Sequence, residues 1–173
     1  MFKVGDRIVY PQHGAGLIDG IEKRTVLGEE VEYLTIRILS DNLVVRIPVN
    51  RVDELGLRRV MDIKGANAVL AVFSEEVSKE GGSWSRRFRT NKDKIRSGDV
   101  REIAEVIRDL ALRDSERPIS SGERQLLAQA KRILSSELRW VFDTDEEETN
   151  RRLDTLLADL AMARSEARTA RSV

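Results

Sequence analysis

The run Val31–Pro48, VEYLTIRILSDNLVVRIP, decides the fold of the first part of the chain. In an extended backbone Leu34, Ile36 and Ile38 share one face while Tyr33, Thr35 and Arg37 share the other, which is the pattern of a half-buried antiparallel strand. The SDN triplet then supplies a turn, Leu43 to Ile47 reads as the next strand, and Pro48 ends it. Working outward toward the N-terminus, LGEE precedes the strand Val31 to Leu39, PQHG precedes a strand Gly14 to Lys23, and Arg7 to Tyr10 is the first strand. Strands so short and so closely connected predict a small, strongly bent barrel of SH3 or Tudor type rather than a sandwich.

From Val60 onward the apolar period changes to that of helices. Short helices are expected around Ala66 to Phe73 and from Trp84 to about Ile95, flanking a Gly81-Gly82 loop. Asp99 caps a helix striped by Val100, Ile103, Ala104, Ile107, Leu110 and Ala111. Ser120 with Glu123 forms a capping box before Leu126, Leu127, Ala130, Ile133, Leu134, Leu138 and Val141. A second box, Thr144 with Glu147, leads into Leu153, Leu156, Leu157 and Leu160. The expected architecture is therefore α+β in two domains: residues 1–57 form the barrel and 62–173 an all-α bundle, joined near 55–62, with a last helix at about 145–169 whose packing is open.

The chain has 173 residues with 30 basic and 30 acidic side chains, so total charge gives no sign of a polyanionic partner. Its distribution does. Arg86, Arg87, Arg89, Lys92, Lys94, Arg96 and Arg101 crowd one stretch against Asp93 and Asp99 only, and the acidic run TDEEE lies apart at 144–148. With no cysteine and one histidine, neither a disulfide framework nor a zinc site is expected, and no cofactor is implied. The start MFKVGDRIVY has no leader pattern, and no window is apolar enough to span a bilayer. A cytoplasmic protein with no membrane partner is expected.

Catalytic chemistry finds little support. His13 sits in the PQHG turn, where a structural role is the plainer reading than a catalytic base. Gly14-Ala-Gly16 opens a strand rather than a helix, so it makes no phosphate cradle. The carboxylates Asp145 to Glu148 suit the start of a helix, where acidic groups favour the dipole. No enzyme activity and no small-molecule substrate are expected.

Ser83 to Asn91, SWSRRFRTN, is the most informative segment. Ser83 can cap a helix with Trp84 in its first turn. Two readings of Trp84 stand on the residues alone. It lies on a stripe with Phe88 and Ile95, which suits a core, and it is flanked by Arg86, Arg87 and Arg89, which suit phosphate oxygens beside an aromatic wedge or stacking platform. In the barrel, Arg24 and Arg46 lie near apolar Val26, Leu43 and Val45. They are either ordinary exposed cations or selectors beside a strand edge that takes a partner through main-chain hydrogen bonds. Trp140 continues the apolar stripe of its helix and reads as a packing residue.

Five stretches in order, FKVGDRIVYPQHGAG, LVVRIPV, SWSRRFRTN, SGDVREIAEVIRDL and SSGERQLLAQAKRIL, resemble the CarD family, also called CdnL, bacterial regulators that bind RNA polymerase. The resemblance covers residues 1 to about 142. It implies a Tudor-like polymerase-binding barrel and a helical DNA-binding domain. It further implies that Arg24 and Arg46, with Val26 and Leu43 to Val45, meet the polymerase β subunit. On the same ground Trp84 wedges into the minor groove at the upstream edge of the melted promoter, largely without sequence specificity, with Arg86, Arg87 and Arg89 around it and Arg113 and Arg124 as further backbone contacts. The resemblance implies stabilisation of the open complex. The alternative is a protein-interaction adaptor that binds no DNA and dimerises through the Leu153 to Leu160 stripe.

Overall fold

The computed structural model describes residues 1–77 and 82–172; Gly81 of the expected glycine loop, and Val173 at the end of the expected second domain, lie outside the described residues. Five antiparallel strands, β1 (Arg7–Tyr10), β2 (Gly14–Val26), β3 (Glu29–Ile38), β4 (Val44–Pro48) and β5 (Arg58–Arg59), form one sheet in the order β4-β3-β2-β1-β5. Leu34, Ile36 and Ile38 are buried as their alternation requires, against Ile8, Ile18, Ile47, Val52 and Leu57. A bulge between Ile18 and Gly20 bends β2 so that the sheet can wrap this core, giving the small bent barrel expected from the sequence.

Three strand expectations need correction. Only Leu27 and Gly28 form the β2–β3 turn, both at positive φ, and the register pairs Val26 with Glu29. That is a two-residue hairpin, which lengthens both strands so that Glu29 and Glu30 join β3. β4 begins at Val44 instead of Leu43, and Pro48 ends it as expected, as its last residue. In the expected join, Arg58 and Arg59 pair with Val9 and Ile8 as β5. A two-residue strand has no periodicity of its own and exists because β1 offers an edge.

Five α-helices follow among the described residues: α1 (Ile63–Ala71), α2 (Trp84–Ser97), α3 (Val100–Glu116), α4 (Ser121–Val141) and α5 (Glu146–Arg171). Asp99 accepts the Arg101 and Glu102 amides, and the Ser120–Glu123 box is complete. The cap of α5 lies one residue later than expected. Asp145 accepts the Glu148 amide, while the Thr144 hydroxyl lies 2.8 Å from that of Thr149. The shared core joins Phe73, Ile95, Ile107, Leu110, Leu134 and Leu138. Leu153 is buried in it and Leu156 and Leu157 pack against it, so this part of the α5 stripe is used within the chain.

Barrel and bundle meet along a seam. Pro11 lies against Gly98, the left-handed C-cap of α2, where a Cβ would come within 2.9 Å of the proline ring. Gly14, at φ +90°, lies against α4, where a Cβ would fall 2.5 Å from Ser136 Oγ. The Ala15 amide donates to that hydroxyl at 2.9 Å. Arg58 grips Glu137 with both terminal guanidinium nitrogens, at 2.7 and 2.8 Å, and the Met61 amide donates to the same carboxylate at 2.8 Å. Trp140 lies here, outside the bundle core: the Arg7 guanidinium sits 5.3 Å from its ring centre and donates to its carbonyl at 3.4 Å. The apolar spacing placed Trp140 on its helix correctly but could not say which body it faces.

Candidate nucleic-acid and protein interfaces

The first turn of α2 lies at the surface of the bundle. Ser83 accepts the Arg86 amide, which starts the helix and sets Trp84 in its first turn. The indole is 46% exposed, with its face stacked on Phe88 at a centroid distance of 5.1 Å and an interplanar angle of 19°. The indole is thus neither fully core nor free of the protein. Ile95, further along the helix, is core, Phe88 is intermediate, and Trp84 at the end of the stripe reaches solvent.

The basic residues do not all behave alike. Arg86 and Arg89 are exposed and have no ion-pair partner among the described residues. Lys94 is bound to Glu105, and Arg101 to Glu75 and Glu105, so the basic patch is narrower than the sequence run. Arg87 turns inward. Its Nη1 donates to the Gly82 carbonyl at 2.7 Å, its Nε is buried, and the residue lines a cleft of about 220 Å³ with Asn91, Arg113, Arg117, Glu123 and Arg164. Arg113 thus stands with Arg87, while exposed Arg124 lines a different groove, between α4 and α5. Sequence gave no means of separating Arg87 from its neighbours, because Asn91, the buried residue one turn on, is itself polar.

Glu123 anchors the far side of this region. Burial pushes its carboxyl up, but hydrogen bonds from the Ser120 amide and hydroxyl, with the charge of Arg113, outweigh it and hold the group below the usual glutamate range. Its contribution to stability is therefore present above the ordinary glutamate pKa and lost as pH falls through the lowered value.

On the barrel, Arg24 and Arg46 converge on one acid. Arg24 Nη2 lies 3.1 Å and Arg46 Nε 3.0 Å from the same Oε1 of Glu22, and these bonds hold the Glu22 carboxyl below its usual range, Arg24 first and Arg46 second. Val26 and Leu43 are exposed nearby. Val45 packs instead against the barrel core, and Val44 shares the outer face with Arg46. Val44, Ile21 and Leu27 are exposed apolar residues that the sequence reading did not single out, and strict alternation from Arg46 would have found Val44. β4 is an edge of the sheet, so its outer main-chain groups lie beside this cluster.

His13 has a turn role: its amide donates to the Tyr10 carbonyl and its ring lies 4.8 Å from that of Tyr10. Among the described residues no group of three or more His, Cys, Asp or Glu could hold a metal ion. No described helix is long and apolar enough to cross a membrane.

Comparison with known proteins matches residues 2–61 to the family model CarD-like/TRCF RID domain and residues 68–154 to the family model CarD, C-terminal domain. The "Putative transcription factor YdeB" of Bacillus subtilis (strain 168) is 38% identical over 138 residues, which cover 80% of this chain and 90% of that protein. The solution structure of the 72-residue N-terminal domain of Myxococcus xanthus CarD is 34% identical, covering 34% of this chain and 79% of that one, with a TM-score of 0.30.

Proposed function

The chain belongs to the CarD family, and from that premise we propose that it is a transcription regulator whose barrel binds the RNA polymerase β subunit while Trp84 contacts promoter DNA at the upstream edge of the bubble. In this reading residues 1–57, with the adjoining β5, are the polymerase-facing unit, and residues 62–173 are the DNA-facing unit. The observation that carries it is the α2 tip: an indole half open to solvent, seated on an aromatic base, beside exposed Arg86 and Arg89, which have no ion-pair partner among the described residues.

The physical logic is differential binding. A ligand shifts an equilibrium only by binding one state better, and an unstacked step at the edge of melted DNA accepts a wedge that intact duplex resists. Arg86 and Arg89 hold the tip to phosphates without reading bases. The edge of β4, with Arg24, Arg46 and the apolar Val26, Leu43 and Val44 beside it, suits addition of a polymerase strand, and Val45 supports that surface from within. Tethering through the polymerase raises the local concentration of the tip, so weak, sequence-tolerant DNA binding suffices. Arg87 and Arg113, set back in the cleft, support the tip more than they reach DNA, and Arg124 would meet DNA only on its own side of α4.

The adaptor reading requires the Leu153 to Leu160 stripe as a free dimerisation face, and the packing of Leu153, Leu156 and Leu157 on the bundle disfavours it.

The test is the half-life of purified polymerase–promoter open complexes challenged with competitor DNA. Stacking an aromatic side chain on a base is worth about 1–3 kcal/mol, so Trp84→Ala is expected to shorten the half-life by roughly tenfold while polymerase pull-down persists. Arg46→Glu is expected to abolish pull-down with the fold intact by circular dichroism. An unchanged half-life with folded Trp84→Ala overturns the wedge; unchanged pull-down with Arg46→Glu overturns the barrel surface.

A further inference from the structure

The indole of Trp84 carries one hydrogen-bond donor, and the fold has already committed it. Nε1–H donates to Ser120 Oγ at 3.2 Å. A hydroxyl has one donor and two acceptor positions, and here all are used: Ser120 Oγ also accepts from the Glu123 amide at 3.2 Å and donates to Glu123 Oε2 at 3.0 Å. The Ser120 amide donates to the same Oε2 at 3.0 Å, and Glu123 is 2% exposed, so the acid that fixes the hydroxyl is itself fixed. The opposite support is apolar. Phe88, on which the indole rests, runs over Gly122, where a Cβ would come within 3.1 Å of its ring. Ser120 and Glu123 therefore cap α4, the Ser120 hydroxyl of that cap braces Trp84 at its polar edge, and Gly122 lies beneath its stacked partner.

We propose that Ser120 is a positioning and specificity-setting residue for Trp84. By taking the indole N–H it fixes the ring orientation and leaves only the apolar part of the side chain to face DNA. The minor groove displays acceptors at every base pair, and G·C pairs add the guanine N2 amino donor between them. A free indole N–H would bond some of them and make the contact depend on base identity. Held by Ser120, the ring meets DNA as a plain wedge whose cost is set by how easily the step unstacks. This inference rests on the wedge reading of Trp84 given above.

The test compares Ser120→Gly with Ser120→Thr in the full chain. Glycine is tolerated at a helix N-cap nearly as well as serine but has no hydroxyl, whereas threonine keeps both cap and acceptor. Two signals are read: water exchange of the Trp84 indole N–H by NMR, assigned with Trp84→Ala, and open-complex half-life on templates that differ only at the upstream edge of the bubble. Ser120→Gly is expected to speed indole exchange and shorten the half-life by about threefold, the size of one ordinary hydrogen bond. Half-lives on A·T and G·C templates then diverge, and Ser120→Thr matches the parent in both signals. Phe88→Leu, which leaves the cap untouched, is expected to shorten the half-life equally on all templates. If Ser120→Gly keeps parental exchange and half-lives while Trp84→Ala shortens them, Ser120 has no such role and the wedge stands. If Trp84→Ala changes nothing, the wedge reading falls and takes this inference with it.

Discussion

Two arginine–glutamate arrangements in this molecule use the same chemistry for opposite ends. At the seam, Arg58 closes on Glu137, which is 1% exposed and also takes the Met61 amide. On the outer face of the barrel, Arg24 and Arg46 share Glu22, with all three side chains about half exposed. Removing one member of a buried pair leaves a charge or an amide without a partner, which is costly, whereas exposed pairs are screened and exchange readily with water. The seam pair is thus a clasp. The outer pair keeps two cations in place until a partner competes for them.

The contrast can be broken most directly at Glu137. Glu137→Ala is expected to lower stability by about 3 kcal/mol, the low end for a buried pair because Arg58 retains a path to solvent. Urea unfolding measures it, and an unchanged midpoint would show that the clasp holds nothing. Gly14→Ala attacks the same seam by volume instead of charge: the added methyl meets Ser136 Oγ on a backbone at positive φ. Overpacking of this kind costs roughly 1–3 kcal/mol, and loss of protection at the Ala15 amide in hydrogen exchange would locate the damage. At the other extreme, Glu22→Gln is expected to leave the urea midpoint where it was. Because Arg24 and Arg46 lower the Glu22 pKa, their pairing persists above the ordinary glutamate range and is lost as pH falls through the lowered value. An NMR titration should show this at Arg24 and Arg46 in the parent and not in Glu22→Gln. A large loss of stability in that variant would mean the outer pair is structural after all.

Features written into short stretches of chain were legible in the sequence. The alternation of Leu34, Ile36 and Ile38, the Asp99 cap and the Ser120–Glu123 box are each set by neighbours within a few residues, and each is found where local chemistry puts it. The run TDEEE shows where such logic runs short, because Thr144 with Glu147 and Asp145 with Glu148 offer the same spacing. Packing chooses the second by engaging Thr144 with Thr149. The candidate interface was readable as a segment but not as a surface. Trp84 and the arginines could be picked out, yet the inward turn of Arg87, the tie of Trp84 to Ser120 and the outward face of Val44 depend on elements that meet only in three dimensions. β5 and the seam position of Trp140 were illegible for the same reason, since each is defined by residues far away in sequence.

That distance bears on how the molecule is made. The Ala15–Ser136 bond spans 121 residues and the Arg58–Glu137 pair 79. A ribosome adding about 5–20 residues per second completes the last barrel strand several seconds before α4 emerges. Throughout that interval the nascent barrel has to stand on its own eight-residue core, with Gly14 and Arg58 turned toward a helix that does not yet exist. Seam closure is therefore a late event in synthesis, and a ribosome stalled before α4 would display a folded barrel whose docking face is still bare.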